Sequence, residues 1–455
     1  MLSPVIFRAY DIRGKYGEDI DSDGMLAIGK AIGTYMKEKN LKNALVSRDT
    51  RPSGIDLQAA LIEGLVYTGI EVSKCPETSF GVSVFTAKKE DMDGCFYITA
   101  SHLPPEYNGV KPFYGSGLSF SSGSIEHIGR IATRGSFVKG EEKEVKEINA
   151  KKEYLKFMEK NFDCSGMKAA IDCGGASTCL IAPELFKTMK IKTENIFCEP
   201  DPTLSVRDLR PSTETLGTLI DTVKEGEFDF GVGFDGDGDR AVLVDEKGGV
   251  LLPDHVGVII GKELLKEETD GVIVANVECS MLPDRVLAPL GAKIVRVPVG
   301  HTHIMEAGYE HKAIFAYEAS GHMAMPRVSL SDDAMLSVLK LAEIIKKSDK
   351  TLSEMVSELP ALYRTRVMFR TTEKDKFNIV EEVKKKLLCK YGQITAIDGV
   401  RVDKEHGWAL IRASNTSPVV RLTVEADSME ELGNIRQEFM NGMMGYSHSF
   451  YETSF

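Results

Sequence analysis

Short apolar runs alternate along this chain with amphipathic stretches at helical spacing. Met25 to Lys39 and Leu57 to Tyr67 have the helical spacing; Ala44 to Ser47, Ile70 to Ser73 and Gly94 to Thr99 read as buried strands. The same order returns twice. Strands are predicted at Ala169 to Cys173, Asn195 to Cys198 and Phe228 to Phe234, then at Val272 to Asn276, Ala292 to Val297 and Lys312 to Tyr317. The third strand of each set runs into an unusual polar loop: Ala100 to Pro105, Asp235 to Arg240, and Glu318 to His322. Residue identity between the sets is negligible, so the echo is one of pattern. It predicts an α/β fold of three similar domains with mixed, mostly parallel sheets around a central cleft. Past Pro360 the grammar changes to a helix (Phe377 to Lys390) and strands at Gly399 to Asp403, Gly407 to Ile411 and Val419 to Glu425. That predicts a C-terminal α+β domain whose hairpin carries the polar loop Arg412 to Pro418. The expected domains are 1–150, 151–253, 254–363 and 364–455. Phe7 to Gly14 is too polar for a core strand and reads as an entry loop; Lys139 to Glu147 reads as a solvated helix face or linker.

Composition narrows the partners. With 455 residues, 42% hydrophobic and 27% charged, the chain is an ordinary globular protein of several domains. A net charge of -12 argues against a nucleic-acid or acidic-membrane partner, though an anionic small molecule can bind where basic residues are focused. The eight cysteines are scattered with no CxxC pair, and neither a signal peptide nor a long apolar span is evident. The expectation is a cytoplasmic protein with free thiols.

The chemistry centres on Asp235, Asp237 and Asp239, which alternate with Gly236 and Gly238 and are closed by Arg240. Three carboxylates on every second residue of a glycine-flexible turn can converge on one hard cation. An EF-hand loop fails, because its sixth position must be glycine and is Arg240, and because the flanks are strand-like. Ser101, just past an apolar strand, is by default a turn residue. A hydrolase triad is a poor fit, since no GxSxG elbow is present and His102 adjoins the serine. A phosphoryl-carrying serine beside a cation suits it better, with Arg240 on the phosphoryl oxygens. Arg412, Ser414, Asn415 and Thr416 offer the donors that grip a phosphate dianion, although such loops are common as plain turns. Glu318 and Ser320 can hydrogen-bond sugar hydroxyls, and His322 is either a general base or a wall of the cleft. His301 and His303, at i and i+2 without an acid cluster, make a poor zinc site.

Thr99 to Lys111, Asp235 to Arg240, Glu318 to His322 and Arg412 to Pro418, in this order after Phe7 to Gly14, resemble the motifs of the α-D-phosphohexomutases. The resemblance spans nearly the whole chain and is strongest to bacterial and archaeal phosphomannomutase/phosphoglucomutases. It implies interconversion of hexose 1-phosphate and hexose 6-phosphate, of mannose and/or glucose, through a phosphoserine at Ser101 and a hexose 1,6-bisphosphate. One Mg²⁺ would be held by Ser101, Asp235, Asp237 and Asp239. Arg412, Ser414, Asn415 and Thr416 would hold the non-reacting phosphate, and Glu318 and Ser320 the sugar. His322, Lys111 and Arg13 are the proton-handling candidates, with Arg8 and His301 as ligand contacts. Leu103 stands where asparagine is usual and Tyr317 where glycine is usual, which bears on the sugar; Tyr317 could narrow or re-aim the sugar loop. Phosphoglucosamine mutases more often carry Gly-Thr where this chain has Asn415 and Thr416, which ranks the amino sugar second. A metal-dependent sugar phosphatase and a sugar-phosphate-binding module are the readings without mutase activity. Monomer and dimer both stay open.

Overall fold

The computed structural model describes residues 2–453 apart from 330, 415, 416, 444, 447 and 448. Its first three sheets share one topology. In the first unit, Asn43–Arg48 lies between Glu71–Glu77 and Gly94–Ile98, both parallel to it, and Tyr107–Tyr114 is antiparallel to Gly94–Ile98. The second unit repeats this with Lys168–Asp172 between Lys192–Ile196 and Phe230–Phe234, and with Ala241–Asp245 antiparallel. The third does so with Val272–Asn276 between Lys293–Val297 and Phe315–Tyr317, and with Met323–Ala324 antiparallel. The central strands are apolar runs because parallel strands are covered on both faces; Gly94–Ile98 and Phe230–Phe234 are buried at every position. In each unit the polar loop joins the third, parallel strand to the fourth, antiparallel one.

That fourth strand is not legible in the first unit, where Gly109 and Pro112 interrupt the β pattern of Tyr107–Tyr114. Gly109 is required there, since a Cβ would stand 2.1 Å from the Ile12 carbonyl oxygen. The neighbour is itself a correction. Part of the expected entry loop, Ile12–Lys15, is an edge strand antiparallel to Tyr107–Tyr114, and edge strands tolerate charged residues. On the opposite edge, Lys146–Glu147 from the charged stretch pairs with Glu71–Glu77.

The second and third units share their largest core, each beside a smaller apolar cluster of its own. One apolar cluster runs from Phe186 and Phe234 through Val256 and Ile260 to Phe315 and Leu339, with helix Ala334–Lys347 bridging them. The fourth unit is a wholly antiparallel sheet in the order Val400–Lys404, Gly407–Ala413, Val419–Ala426, Tyr363–Arg370, Phe450–Thr453. Helices Lys376–Tyr391 and Met429–Met443 cover one face.

The other face docks on the third unit, with Trp408 and Leu410 packed on Val277 and Met281 among charged residues. Glu425 accepts from Ser280 Oγ (2.9 Å), Met281 N (2.9 Å), Trp408 Nε1 (2.8 Å) and Arg364 Nε (2.8 Å). Arg364 also pairs with Asp254 at 3.1 Å. Glu425→Ala would remove one of the carboxylates on the Arg364 guanidinium and leave three donors unpaired in the interface, an expected cost of about 3–5 kcal/mol. Calorimetry should show the C-terminal transition at lower temperature; an unmoved transition would contradict the assignment. Burial opposes ionisation of Glu425, but Arg364 and the donors hold its carboxyl below the ordinary range. Its stabilisation is therefore present above the unfolded value of about 4.3 and lost as pH falls through the lower folded value. Glu425→Gln should flatten that acid limb.

Candidate active site

Ser101 follows strand Gly94–Ile98 in a left-handed backbone conformation, φ 52°. A non-glycine residue there costs on the order of 1 kcal/mol and needs outside support. Arg51, 1% exposed, supplies it. Its Nη2 donates to the carbonyls of Ser101 (2.9 Å) and Leu103 (2.6 Å), its Nη1 to those of Pro104 (2.7 Å) and Tyr107 (3.0 Å), and its Nε to Asp49 (3.1 Å). Asp49 in turn accepts from Thr99 Oγ1, which accepts from Ser101 N, at 2.7 and 2.8 Å. All five guanidinium protons are spent on holding this loop.

The aspartate loop meets the serine from the second unit. A Cβ at Gly236 would come within 2.3 Å of the Ser101 carbonyl oxygen, so only glycine permits the approach; Gly238 has φ 79°. Ser101 Oγ donates to Asp235 Oδ2 (3.2 Å) and accepts from Arg240 Nη2 (2.9 Å). Asp235, Asp237 and Asp239 are buried, and carboxylate oxygens of all three lie within 4.8 Å of one another. Lys111, from the antiparallel strand of the first unit, reaches across to Asp237 Oδ2 (2.6 Å) and Asp239 Oδ2 (2.5 Å). The other oxygens of Asp237 and Asp239 are buried without a hydrogen-bond partner. Unpartnered oxygens on two of three converging acids fit a hard divalent cation. The electrostatics agree: burial, then Asp239 and Asp237, push the Asp235 carboxyl up, the mark of a site short of positive charge.

His102 Nδ1 lies 3.3 Å from Ser101 Oγ and accepts from Arg240 Nη2 at 2.6 Å. Burial and the cations of Arg240, Arg13 and Arg210 push its pKa down to about 2, so the imidazole is neutral. Adjacency in sequence thus does bring imidazole to hydroxyl, but no hydrogen bond to a carboxylate orients this ring among the described residues, and no hydrolase triad results. Arg13, on the edge strand, pairs with Asp11 at 2.7 Å and keeps a buried Nε without a partner. Arg8 is exposed in the preceding loop, with no side-chain hydrogen bond or ion pair among the described residues.

From the third unit, His322 lies 3.5 Å from Asp239 Oδ2 and 3.2 Å from Glu318 Oε2, and Ser320 Oγ donates to Glu318 at 2.8 Å. Burial would lower His322, but Asp239 and Glu318 outweigh it and push it up to about 10. Burial would raise Glu318, yet His322, Gly300 N and Asn276 hold it at about 2. The two carboxylates beside it thus favour the imidazolium form of His322. His301 stacks on it with ring centroids 5.4 Å apart. His303 turns instead to Tyr10 Oη at 3.0 Å, so the two histidines do not form a zinc site. Tyr317 is also not what was expected. Its ring is fully buried against helix Pro253–Leu264, close to Gly257, with its hydroxyl 3.2 Å from Asp254, and it does not narrow the sugar loop.

Arg412 stands in the hairpin of the fourth unit, paired with Glu278 and Asp398 at 3.2 Å each. Asp398 also accepts from Val299 N (3.1 Å), and the next residue's N–H, Gly300 N, donates to Glu318 Oε1 (2.5 Å). A continuous run of polar contacts therefore links the hairpin to the serine. Ser414 is fully buried beside Arg412. Asn415 and Thr416 lie outside the described residues. Sequence reading missed Arg51, Asp49 and Asp332. The last is 1% exposed, 3.4 Å from His301 Nδ1 and 3.8 Å from His322 Nε2. Arg51 lay in plain view in the turn Arg48 to Gly54, and Asp332 in the acidic pair before helix Ala334–Lys347, but neither carried a local signal of its partners.

Four family models match this chain, described as phosphoglucomutase/phosphomannomutase α/β/α domain I over residues 4–139, domain II over 152–249, domain III over 252–363, and the C-terminal domain over 367–442. A Pseudomonas aeruginosa phosphomannomutase/phosphoglucomutase is 31% identical over 448 residues, covering 98% of this chain and 96% of its own. A Methanopyrus kandleri protein named "Probable phosphoglucosamine mutase" is 31% identical over 449 residues, 96% of this chain and 97% of its own. Among solved structures, a phosphoglucomutase/phosphomannomutase family protein of Burkholderia thailandensis superposes with TM-score 0.92 at 26% identity, covering 98% of each chain. The chain belongs to the phosphoglucomutase/phosphomannomutase family and is a phosphohexomutase, an intramolecular phosphotransferase. Among the described residues no helix is long and apolar enough to cross a membrane.

Proposed function

We propose that this enzyme interconverts the 1- and 6-phosphates of mannose and/or glucose by passing a phosphoryl group through Ser101. The observation that carries this reading is the Ser101 hydroxyl, 2.9 Å from Arg240 and 3.2 Å from Asp235 at the mouth of a buried carboxylate triad. In the first half-reaction the bond from phosphorus to Ser101 Oγ breaks and one to a sugar hydroxyl oxygen forms, giving the 1,6-bisphosphate. The opposite phosphate then returns a phosphoryl group to Oγ. Asp235, Asp237 and Asp239 would hold one Mg²⁺, which when bound supplies charge neutralisation at the phosphoryl oxygens. Arg240 holds those oxygens and the Oγ position. Arg13, with an unspent N–H, is placed to donate to them. Lys111 carries its proton because Asp237 and Asp239 outweigh its burial, and His322 favours its imidazolium form. They can steady developing negative charge and return a proton to a departing oxygen. Glu318 and Ser320 bind the sugar hydroxyls, with His301 beside them. Arg412, Ser414, Asn415 and Thr416 grip the phosphate that is not reacting, in either orientation.

Relatives named for mannose/glucose and for glucosamine phosphates match equally well in identity, so the sugar rests on Asn415 and Thr416, which favour the neutral hexoses. The test is 1-phosphate to 6-phosphate interconversion of mannose, glucose and glucosamine phosphates with Mg²⁺ and a trace of glucose 1,6-bisphosphate. Faster turnover of mannose or glucose phosphate is expected. A strong preference for glucosamine phosphate would overturn the sugar assignment, and net release of inorganic phosphate would point to a phosphatase.

A further inference from the structure

We propose that Cys198 and Cys173, in the second unit, form an oxidation site: a hydroperoxide joins them in a disulfide that slows the mutase, and a thiol reductant reverses it. The cysteines are scattered along the chain, yet three of the eight converge at the end of strand Lys168–Asp172. Cys173 is fully buried just past the strand, whereas Cys179 and Cys198 are partly exposed. Cys198 Sγ donates to Cys173 Sγ at 3.1 Å. The chain brings Cys198 back over the strand end by way of Phe197, whose backbone is left-handed at φ 48°. Main-chain bonds fix the approach, from Cys173 N to the Ile196 carbonyl (3.2 Å) and from Gly175 N to the Phe197 carbonyl (2.8 Å). Cys179 Sγ turns aside to the Phe197 carbonyl at 3.4 Å. Burial, then Cys179 and Cys198, push the Cys173 thiol well above its ordinary pKa. A buried thiol of that kind is a poor first nucleophile, so the oxidant meets the partly exposed Cys198 first.

The chemistry closes in two steps. The Cys198 sulfur takes one oxygen of hydrogen peroxide as the O–O bond breaks, leaving a sulfenic acid and one water. The Cys173 sulfur then attacks the Cys198 sulfur. The S–S bond forms, the S–O bond breaks, and the Cys173 proton departs with the hydroxyl as a second water. The two thiols lose two electrons, and the peroxide is reduced by two.

The pair lies beneath the aspartate loop. The turn from Gly174 to Cys179 leaves Cys173 directly, and in it Ser177 donates to the Gly236 carbonyl from its N–H (3.3 Å) and its hydroxyl (2.9 Å). Gly236 stands between Asp235 and Asp237. The Thr178 hydroxyl donates back to the Cys173 carbonyl at 3.3 Å, and a Cβ at Gly238 would stand 2.6 Å from the Thr178 methyl carbon. Covalent closure draws the two sulfurs together by about 1 Å, and this turn must absorb part of the movement. Displacement of reacting groups on that scale costs up to about a hundredfold in rate, so a fall of about tenfold is expected in kcat.

The test treats the full-length parent, Cys198→Ser and Cys179→Ala with hydrogen peroxide. Peptide mapping with alkylation before and after reduction reads the thiols independently of turnover. Kinetics use whichever hexose 1-phosphate the parent converts, with and without dithiothreitol. The parent should yield a Cys173–Cys198 linked peptide pair and lose about tenfold in kcat, and dithiothreitol should restore it to within about twofold. Cys198→Ser should match the untreated parent, form no such link and keep its kcat through the treatment. Cys198→Ala repeats the measurement should the serine lower the unfolding temperature. Cys179→Ala should behave as the parent does. The exposed Cys389 is present in every variant, so its oxidation cannot separate them. Absence of the link, a link to Cys179 in its place, a link that leaves kcat within about twofold, or an equal loss of kcat in Cys198→Ser would each overturn the proposal.

Discussion

Ser101→Ala is expected to lower kcat/KM for hexose phosphates by about 10⁴-fold or more, the scale on which loss of a covalent nucleophile is felt. The size follows from the neighbourhood. Thr99 Oγ1, the adjacent hydroxyl, is committed to Asp49 and to Ser101 N. The His102 imidazole is tied to Arg240. Among the described residues no second hydroxyl bonds both Arg240 and the carboxylate triad. The loop itself should survive, because Arg51 grips its carbonyls and Thr99 its Ser101 N–H, none of which needs the Ser101 side chain. Intact-protein mass spectrometry after incubation with glucose 1,6-bisphosphate supplies the direct reading. The parent should gain one phosphoryl group and Ser101→Ala none. Turnover by the mutant within about tenfold of the parent would remove Ser101 from the mechanism.

Asp237→Asn should cost about 10³-fold in kcat/KM and abolish the response to Mg²⁺. Asp237 is fully buried; one oxygen holds Lys111 at 2.6 Å and the other is unpartnered. An amide fills the same space but gives up the charge, and it offers a cation one neutral oxygen in place of a carboxylate. Titrating Mg²⁺ into chelator-treated parent enzyme should restore activity along a saturable curve, and Asp237→Asn should stay flat across the same range. A mutant that saturates at the same Mg²⁺ concentration with activity within about threefold would show that the triad does not hold the metal.

The elements and the four polar loops were legible from periodicity because both depend on neighbours in sequence. Buried parallel strands announce themselves as unbroken apolar runs, as in Phe230–Phe234, and a helix such as Ser22–Glu38 by its apolar stripe. The aspartate run declared its chemistry because all three ligands sit in one turn. Ile12–Lys15 and Tyr107–Tyr114 escaped because an edge strand needs no apolar run, and because Gly109 and Pro112 mask the other.

Side-chain direction was harder still. Tyr317 precedes Glu318 in the chain, and yet its ring packs into the core while the carboxylate faces the cleft, as alternation along a strand requires once the strand end is known. Residues that act across units carry no local trace at all. Lys111 and Asp239 are separated by 128 positions, Ser101 and Asp235 by 134, and only the docking of one unit on the next makes them a site. The same holds for Arg51, whose five donors are shared among five residues. Amino-acid pattern specifies where the strands, turns and reactive groups occur, since those follow from local backbone and burial preferences. Which groups meet, at what distance and with what charge, is a property of packed surfaces, and it exists only once the four units have closed on one another.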